Sequence, residues 1–80
     1  MPTILIKNGF RIFFYSADWN EPIHVHVEYG EAEAKFWLNP IRVSSVYKMK
    51  PKDLKRARLL IEENSQLIEE EWNGYFSKKR

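Results

Sequence analysis

The stretch PIHVHVEYGEAEAKFWL, residues 22–38, alternates apolar and polar side chains on both sides of Gly30-Glu31. Such alternation is typical of half-buried strands, so we expect a β-hairpin in which residue n faces residue 61 − n. One face is then apolar. The other face carries the remaining pairs, which are His24 with Trp37, His26 with Lys35 and Glu28 with Glu33. A slip of one residue would exchange the two faces, so the pattern predicts this register and places both histidines on an exposed face.

The residues before this stretch predict another hairpin, with Asn8-Gly9 as its two-residue loop. Asn-Gly between β-rich runs is the strongest short-range signal for such a turn. This loop pairs Leu5 with Ile12 and Ile4 with Phe13. Residues 16–22 are rich in polar and turn-forming residues and predict a loop, with Pro22 as the first residue of the following strand.

The C-terminal half predicts helical structure. Residues 41–47 fit either a short fifth strand or an irregular connector, and Pro51 suits the first turn of a helix. An apolar stripe at helical spacing follows, formed by Leu54, Ala57, Ile61, Ile68, Trp72 and Tyr75. Asn64-Ser65 interrupts the stripe, so one kinked helix and two abutting helices are both open, and Asn73-Gly74 predicts its end.

Together these patterns predict an α+β fold in one domain, residues 1–80. Its antiparallel sheet has two β-hairpins and four to five strands. A C-terminal helix or helix pair packs on one sheet face through Leu54, Ile61, Ile68 and Trp72.

Composition limits the cellular compartments and the classes of partner expected for the protein. The 80 residues include no cysteine, which excludes a disulfide framework and agrees with a reducing cytoplasm. No apolar run approaches the length of a membrane span, and no signal-peptide pattern is present, so we expect a cytoplasmic protein without membrane contact. The net charge of +2 does not by itself indicate nucleic-acid binding.

Four segments resemble the bacterial domain-of-unknown-function family 4160: residues 8–16, 21–28, 32–38 and 67–76. The most specific piece is the family motif Pro-Pro-His-x-His-Val, matched by Pro22, His24, His26 and Val27, with Ile23 in place of the second proline. Members of the family often lie beside a gene of domain-of-unknown-function family 2442, in an arrangement similar to toxin–antitoxin pairs. The resemblance therefore implies a small protein with a dedicated partner, for which a family 2442 protein is the candidate.

His24 and His26 are the candidate catalytic and metal-binding residues. Strand residues two apart point the same way with Cα atoms about 6.5–7 Å apart, so both imidazoles can reach one divalent metal ion. Catalytic zinc needs a third protein ligand, and the acidic residues near in sequence are Glu28, Asp18 and Glu33. The alternative is that both histidines form ordinary cross-strand pairs without a chemical role, His24 with Trp37 and His26 with Lys35.

A second interpretation of the same face is metal-independent RNA cleavage. A histidine would act as general acid or base near neutral pH, and Lys35 or Arg11 would stabilise a phosphate. Tyr15 and Phe13 would offer stacking surfaces for bases, although such aromatic residues are more often part of a core.

Cations are concentrated at the start of the predicted C-terminal helix: Lys48, Lys50, Lys52, Lys55, Arg56 and Arg58. This order opposes the helix dipole, which favours anions at the helix start, so stability alone does not account for it. Lys52, Lys55 and Arg56 project opposite the apolar stripe and are candidates for binding nucleic acid or an acidic partner. The alternative is a solvated helix face, on which Leu59 is an exposed apolar residue.

Three functions stay open at this stage, and with them the question whether the chain is an enzyme. The first is a partner-binding component of a toxin–antitoxin-like pair that acts on or with nucleic acid. The second is a histidine-dependent enzyme that cleaves RNA or binds a metal. The third is a structural module that forms oligomers through a strand edge or Leu59.

Overall fold

The computed structural model describes residues 3–15 and 20–77, and it confirms the predicted α+β fold class. Within these ranges a five-stranded antiparallel sheet precedes two helices. The elements are β1 (Thr3–Lys7), β2 (Phe10–Phe13), β3 (His24–Tyr29), β4 (Ala32–Trp37), β5 (Arg42–Tyr47), α1 (Pro51–Glu63) and α2 (Ser65–Ser77). The spatial order β1-β2-β3-β4-β5 repeats the order of the sequence, so each strand pairs with its neighbour in the chain.

The central hairpin, β3 and β4, has the predicted register. All six residue pairs sum to 61, from Tyr29 with Ala32 at the turn to His24 with Trp37 at the open end. The N–H of Leu38 donates to the carbonyl oxygen of Ile23 at 3.2 Å and extends the pairing beyond the strands. β3 begins two residues later than predicted, at His24, so Pro22 precedes the strand and takes no place in its ladder.

The first hairpin, β1 and β2, turns at Asn8-Gly9 as predicted. Asn8 has φ 53° and Gly9 has φ 85°, the left-handed conformations that a tight two-residue hairpin turn requires. Leu5 faces Ile12, but the predicted pairing of Ile4 with Phe13 is wrong. Thr3 faces Phe13 because the register shifts at Ile4, and this irregularity leaves both Ile4 and Leu5 packed against the core.

The uncertain segment after β4 forms a fifth strand. β5 lies at the edge of the sheet, and each of its six residues is exposed. Phe36 faces Val43 whereas Lys35 faces Ser45, so Ser44 is an extra residue and β5 is bulged there.

Two helices follow, separated by Asn64. Pro51 occupies the first helical position as predicted, and the Asn64 side-chain amide donates to the Leu60 carbonyl at 2.8 Å, where α1 ends. The predicted end at Asn73-Gly74 is wrong, because α2 continues through Gly74 to Ser77. Tyr75 and Phe76 pack their rings 5.3 and 5.2 Å from that of Phe14, and this tertiary packing outweighs the low helix propensity of glycine.

Both helices contribute to the core on one sheet face. Ile61 and Ile68 are fully buried against the sheet and Leu54 packs at the margin, as the stripe predicts. The sheet side of this core is formed by Phe10, Ile12, Val25, Val27, Ala32, Ala34, Phe36 and Leu38. Trp72 is also buried, but it packs against Phe14 and His24. Neither α1 nor α2 has the length and apolar character needed to cross a membrane.

Candidate functional site

The two histidines lie side by side on the sheet face opposite α1, with ring centroids 5.3 Å apart. The prediction that this pair is exposed is wrong: His24 is 0% exposed and the His26 side chain only 12%. Aromatic rings enclose both. Trp37 and Trp72 lie 5.4 and 5.3 Å from the His24 ring, and Phe13 and Tyr15 lie 5.5 and 4.7 Å from that of His26.

The backbone fixes the orientation of His24. Its Nδ1 lies 2.9 Å from the carbonyl oxygen of Pro22, and the Glu21 carboxylate is 3.7 Å from the same nitrogen. A carbonyl oxygen only accepts hydrogen bonds, so Nδ1 is the donor in this contact. Full burial keeps this ring away from any large substrate.

His26 has a carboxylate partner on the neighbouring strand. Glu33 places Oε2 3.7 Å from the His26 Nδ1, and Phe13 stacks on the ring at an interplanar angle of 24°. Phe13 is fully buried, so it cannot stack on a nucleic-acid base as one interpretation of the sequence required. Tyr15 is 37% exposed and contacts His26 edge to face.

The two cations predicted to stabilise phosphate on this face already have carboxylate partners. The Arg11 Nη1 lies 3.5 Å from the Glu28 Oε1, and Lys35 donates to the Glu21 carboxylate at 3.0 Å. Both also lie over aromatic rings, Arg11 over Phe13 at 4.3 Å and Lys35 over Trp37 at 4.5 Å. A phosphate would have to displace these contacts.

Among the residues that the structure describes, the predicted metal site has two histidines but no third ligand in place. Glu33 is near His26 only, Glu28 pairs with Arg11, and Asp18 lies outside the described residues. Among residues 3–15 and 20–77, no three His, Cys, Asp or Glu side chains form a group that could hold a metal ion. Metal binding at His24 and His26 stays a prediction.

A second surface begins at β5 and continues into α1. We call residues 42–58 the basic segment: it contains seven Lys or Arg and one acidic residue, Asp53, for a formal charge of +6. The other residues contain six Lys or Arg and ten Asp or Glu, a formal charge of −4. The chain is therefore strongly polarised, although its net charge is only +2.

Most cations of the basic segment have no carboxylate partner among the described residues. Arg56 pairs with Asp53 at 3.3 Å, and Arg58 pairs with Glu62 at 3.3 Å. Within the described part of the chain, no carboxylate oxygen lies within 4 Å of the other five, which are Arg42, Lys48, Lys50, Lys52 and Lys55. All five are exposed.

The structure corrects the predicted position of Arg56. Its guanidinium lies 5.1 Å from the ring of Phe10 and 5.8 Å from that of Tyr29. Arg56 is therefore at the flank of α1, beside the sheet, and like Lys52 and Lys55 it is exposed as expected. Binding by Lys52, Lys55 and Arg56 stays a prediction.

Sequence reasoning missed an apolar surface next to these cations. Val43, Val46 and Tyr47 of β5 are 45%, 46% and 60% exposed, and an open groove of about 290 Å³ runs between β5 and α1. Its lining residues are Phe36, Val43, Pro51, Leu54, Lys55 and Arg58. The available signal was the short RVSSVY run, whose two serines break the alternation seen in the central hairpin.

Comparison with known proteins identifies the family. The model of a family described as a domain of unknown function (DUF4160) matches residues 9–73, from the first turn into α2. The chain belongs to this family. The matched region contains both histidines and the whole basic segment, and it confirms the family resemblance noted in the sequence. No curated protein and no solved structure matches significantly. The description of DUF4160 assigns no activity, so the function is inferred from the chemistry of the two surfaces.

Proposed function

We propose that this member of DUF4160 is a cytoplasmic bacterial protein that binds an acidic partner through its basic segment. In this proposal it is one component of a toxin–antitoxin-like two-gene pair, with a protein of domain-of-unknown-function family 2442 as the partner. The observation that carries the proposal is a set of five exposed cations for which the described part of the chain offers no carboxylate partner, in a segment of charge +6.

The placement of these cations suits recognition better than it suits stability. Lys52 lies in the first turn of α1 and Lys55 soon after, where the helix dipole disfavours positive charge by about 0.3–1 kcal/mol per exposed residue. Clustered charges of one sign raise association rates and select a complementary partner. An acidic protein surface and a nucleic-acid backbone both offer that complement, so an action on nucleic acid is part of the proposal.

Charge reversal tests this proposal. We expect Lys52→Glu/Lys55→Glu to weaken binding of a co-expressed family 2442 protein by at least about tenfold at low salt, because two attractive charges become repulsive. The affinity should be measured by isothermal titration calorimetry at two salt concentrations. Both side chains are exposed, so the thermal midpoint should change little.

The matched control uses a cation at the opposite edge of the sheet. Lys7 of β1 is exposed, and Lys7→Glu changes the net charge as much as Lys55→Glu does alone. Lys55→Glu should weaken binding about threefold to tenfold, and Lys7→Glu should leave it nearly unchanged. Equal effects of the two substitutions, or an affinity independent of salt, would contradict binding by the basic segment. Binding to single-stranded RNA but not to the protein would identify nucleic acid as the partner.

A histidine-dependent enzyme is the second candidate. It is favoured by the position of the Glu33 carboxylate 3.7 Å from the His26 Nδ1, beside a second imidazole. His26 is the histidine to test, because removal of the fully buried His24 would leave a cavity and destabilise the fold.

Expression in a bacterial host separates the two functions. If the chain cleaves RNA, the wild type should arrest growth and degrade total RNA, and His26→Gln should remove both effects at equal expression and folding. We expect hosts that express His26→Gln and hosts that express the wild type to grow equally well. This is the result for a protein that binds its partner through the basic segment. Loss of a toxic effect in His26→Gln, with toxicity retained in Lys52→Glu/Lys55→Glu, would place the enzyme first.

A further inference from the structure

β5 presents apolar side chains on both faces of the sheet edge. Val43 and Val46 face Phe36 and Ala34, so they belong to the sheet face that α1 covers. Tyr47 faces Glu33 and therefore belongs to the face with the histidines. All three remain about half exposed, and the exposure of Val43 and Val46 shows that α1 does not extend over this edge.

The backbone of β5 is paired on one side only. β4 is its one neighbour, and the strand order ends at β5, so within the described residues the outer row of backbone groups joins no ladder. Proteins normally protect such an edge with charged side chains. β5 has a bulge at Ser44, but Arg42 is the single charge among its six residues.

We propose that β5 pairs with an acidic β-strand of the partner protein, which extends the sheet by one strand. This inference rests on the proposed function and adds to it the contact surface and the mode of binding. A strand fits better than a helix because Val46 and Tyr47 lie on opposite faces, and a strand beside β5 contacts both.

The surrounding charges favour acidic residues in the incoming strand. Arg42 begins β5 and Lys48 follows its last residue, so cations lie at both ends of the paired edge. Lys55 and Arg58 line the groove between β5 and α1, where an apolar side chain of the incoming strand would lie on Val43. A second copy of this chain would bring two segments of charge +6 together, which disfavours self-pairing through β5.

The test uses a capped peptide of about seven residues in which Glu and Val alternate, added at about millimolar concentration to the ¹⁵N-labelled chain. We expect amide chemical shifts to change along β5 and hydrogen exchange of its amides to slow. A second peptide has proline in place of its central valine. It carries the same charge but cannot complete the ladder, so it should bind at least about tenfold more weakly.

Substitutions in the chain provide the matched comparison. Val43→Ser/Val46→Ser removes exposed apolar surface only, so the fold should persist while peptide affinity falls by at least about fivefold. Ile6→Ser removes an exposed apolar side chain from β1, the opposite edge strand, and should leave the affinity unchanged.

The possible outcomes distinguish strand pairing at β5 from binding of an acidic partner elsewhere on the basic segment. If both peptides bind equally and the shift changes fall on Lys52 and Lys55, strand pairing is overturned while the acidic partner stands. If neither peptide changes any shift, both proposals are overturned. If the chain forms a dimer in sedimentation experiments that Val43→Ser/Val46→Ser abolishes, the occupant of β5 is a second copy and the acidic strand is wrong.

Discussion

Trp72→Ala is expected to lower the free energy of unfolding by about 3–5 kcal/mol, because truncation of a buried indole leaves a large cavity. The Trp72 ring lies 4.4 Å from Phe76 and 5.3 Å from both Phe14 and His24, so it joins α2 to the residue that follows β2 and to the start of β3. Urea denaturation monitored by circular dichroism measures the loss.

Trp37 supplies the control for this substitution. It also contacts His24, at 5.4 Å, but its side chain is only partly buried, and the ammonium group of Lys35 lies over its ring. We expect Trp37→Ala to cost clearly less than Trp72→Ala. A loss below about 1 kcal/mol for Trp72→Ala would show that α2 does not pack against the histidine end of the sheet.

Ile61→Ala is expected to cost about 2–5 kcal/mol of unfolding free energy. Ile61 is 0% exposed in α1 and belongs to the main core. Leu59, two residues earlier on the same helix, is 49% exposed, and Leu59→Ala should change stability by no more than about 0.5 kcal/mol. The same denaturation experiment compares the two. Similar losses for both would mean that α1 is rotated relative to the sheet.

The sheet was largely predictable because its strands pair locally. The alternation in residues 22–38 and the Asn8-Gly9 turn can both be recognised from residues a few positions apart. The predicted register of the central hairpin was therefore correct throughout. The shift at Ile4 and the continuation of α2 through Gly74 were not predictable in this way. Both depend on packing against residues distant in the sequence.

The candidate site was predictable only in part. Lys52 and Lys55 are exposed as predicted, since charged side chains on the outer side of a helix have no other favourable environment. The histidines were expected on an exposed face because their strand alternates with apolar residues, but Trp72 of α2 closes over His24. The exposure of the apolar residues of β5 was not predicted, because it depends on how far α1 extends across the sheet.

The strand order described above also bears on how the chain reaches its native state. Every strand pairs with the one before it, and the turns at Asn8-Gly9 and Gly30-Glu31 close short loops, so little chain entropy is lost when each pair forms. Pairing can therefore begin during synthesis, as successive strands leave the ribosome. Until α1 and α2 follow, however, the apolar face around Val25, Val27 and Phe36 lies open to water. We expect rapid folding of the sheet combined with a tendency of unfinished chains to aggregate.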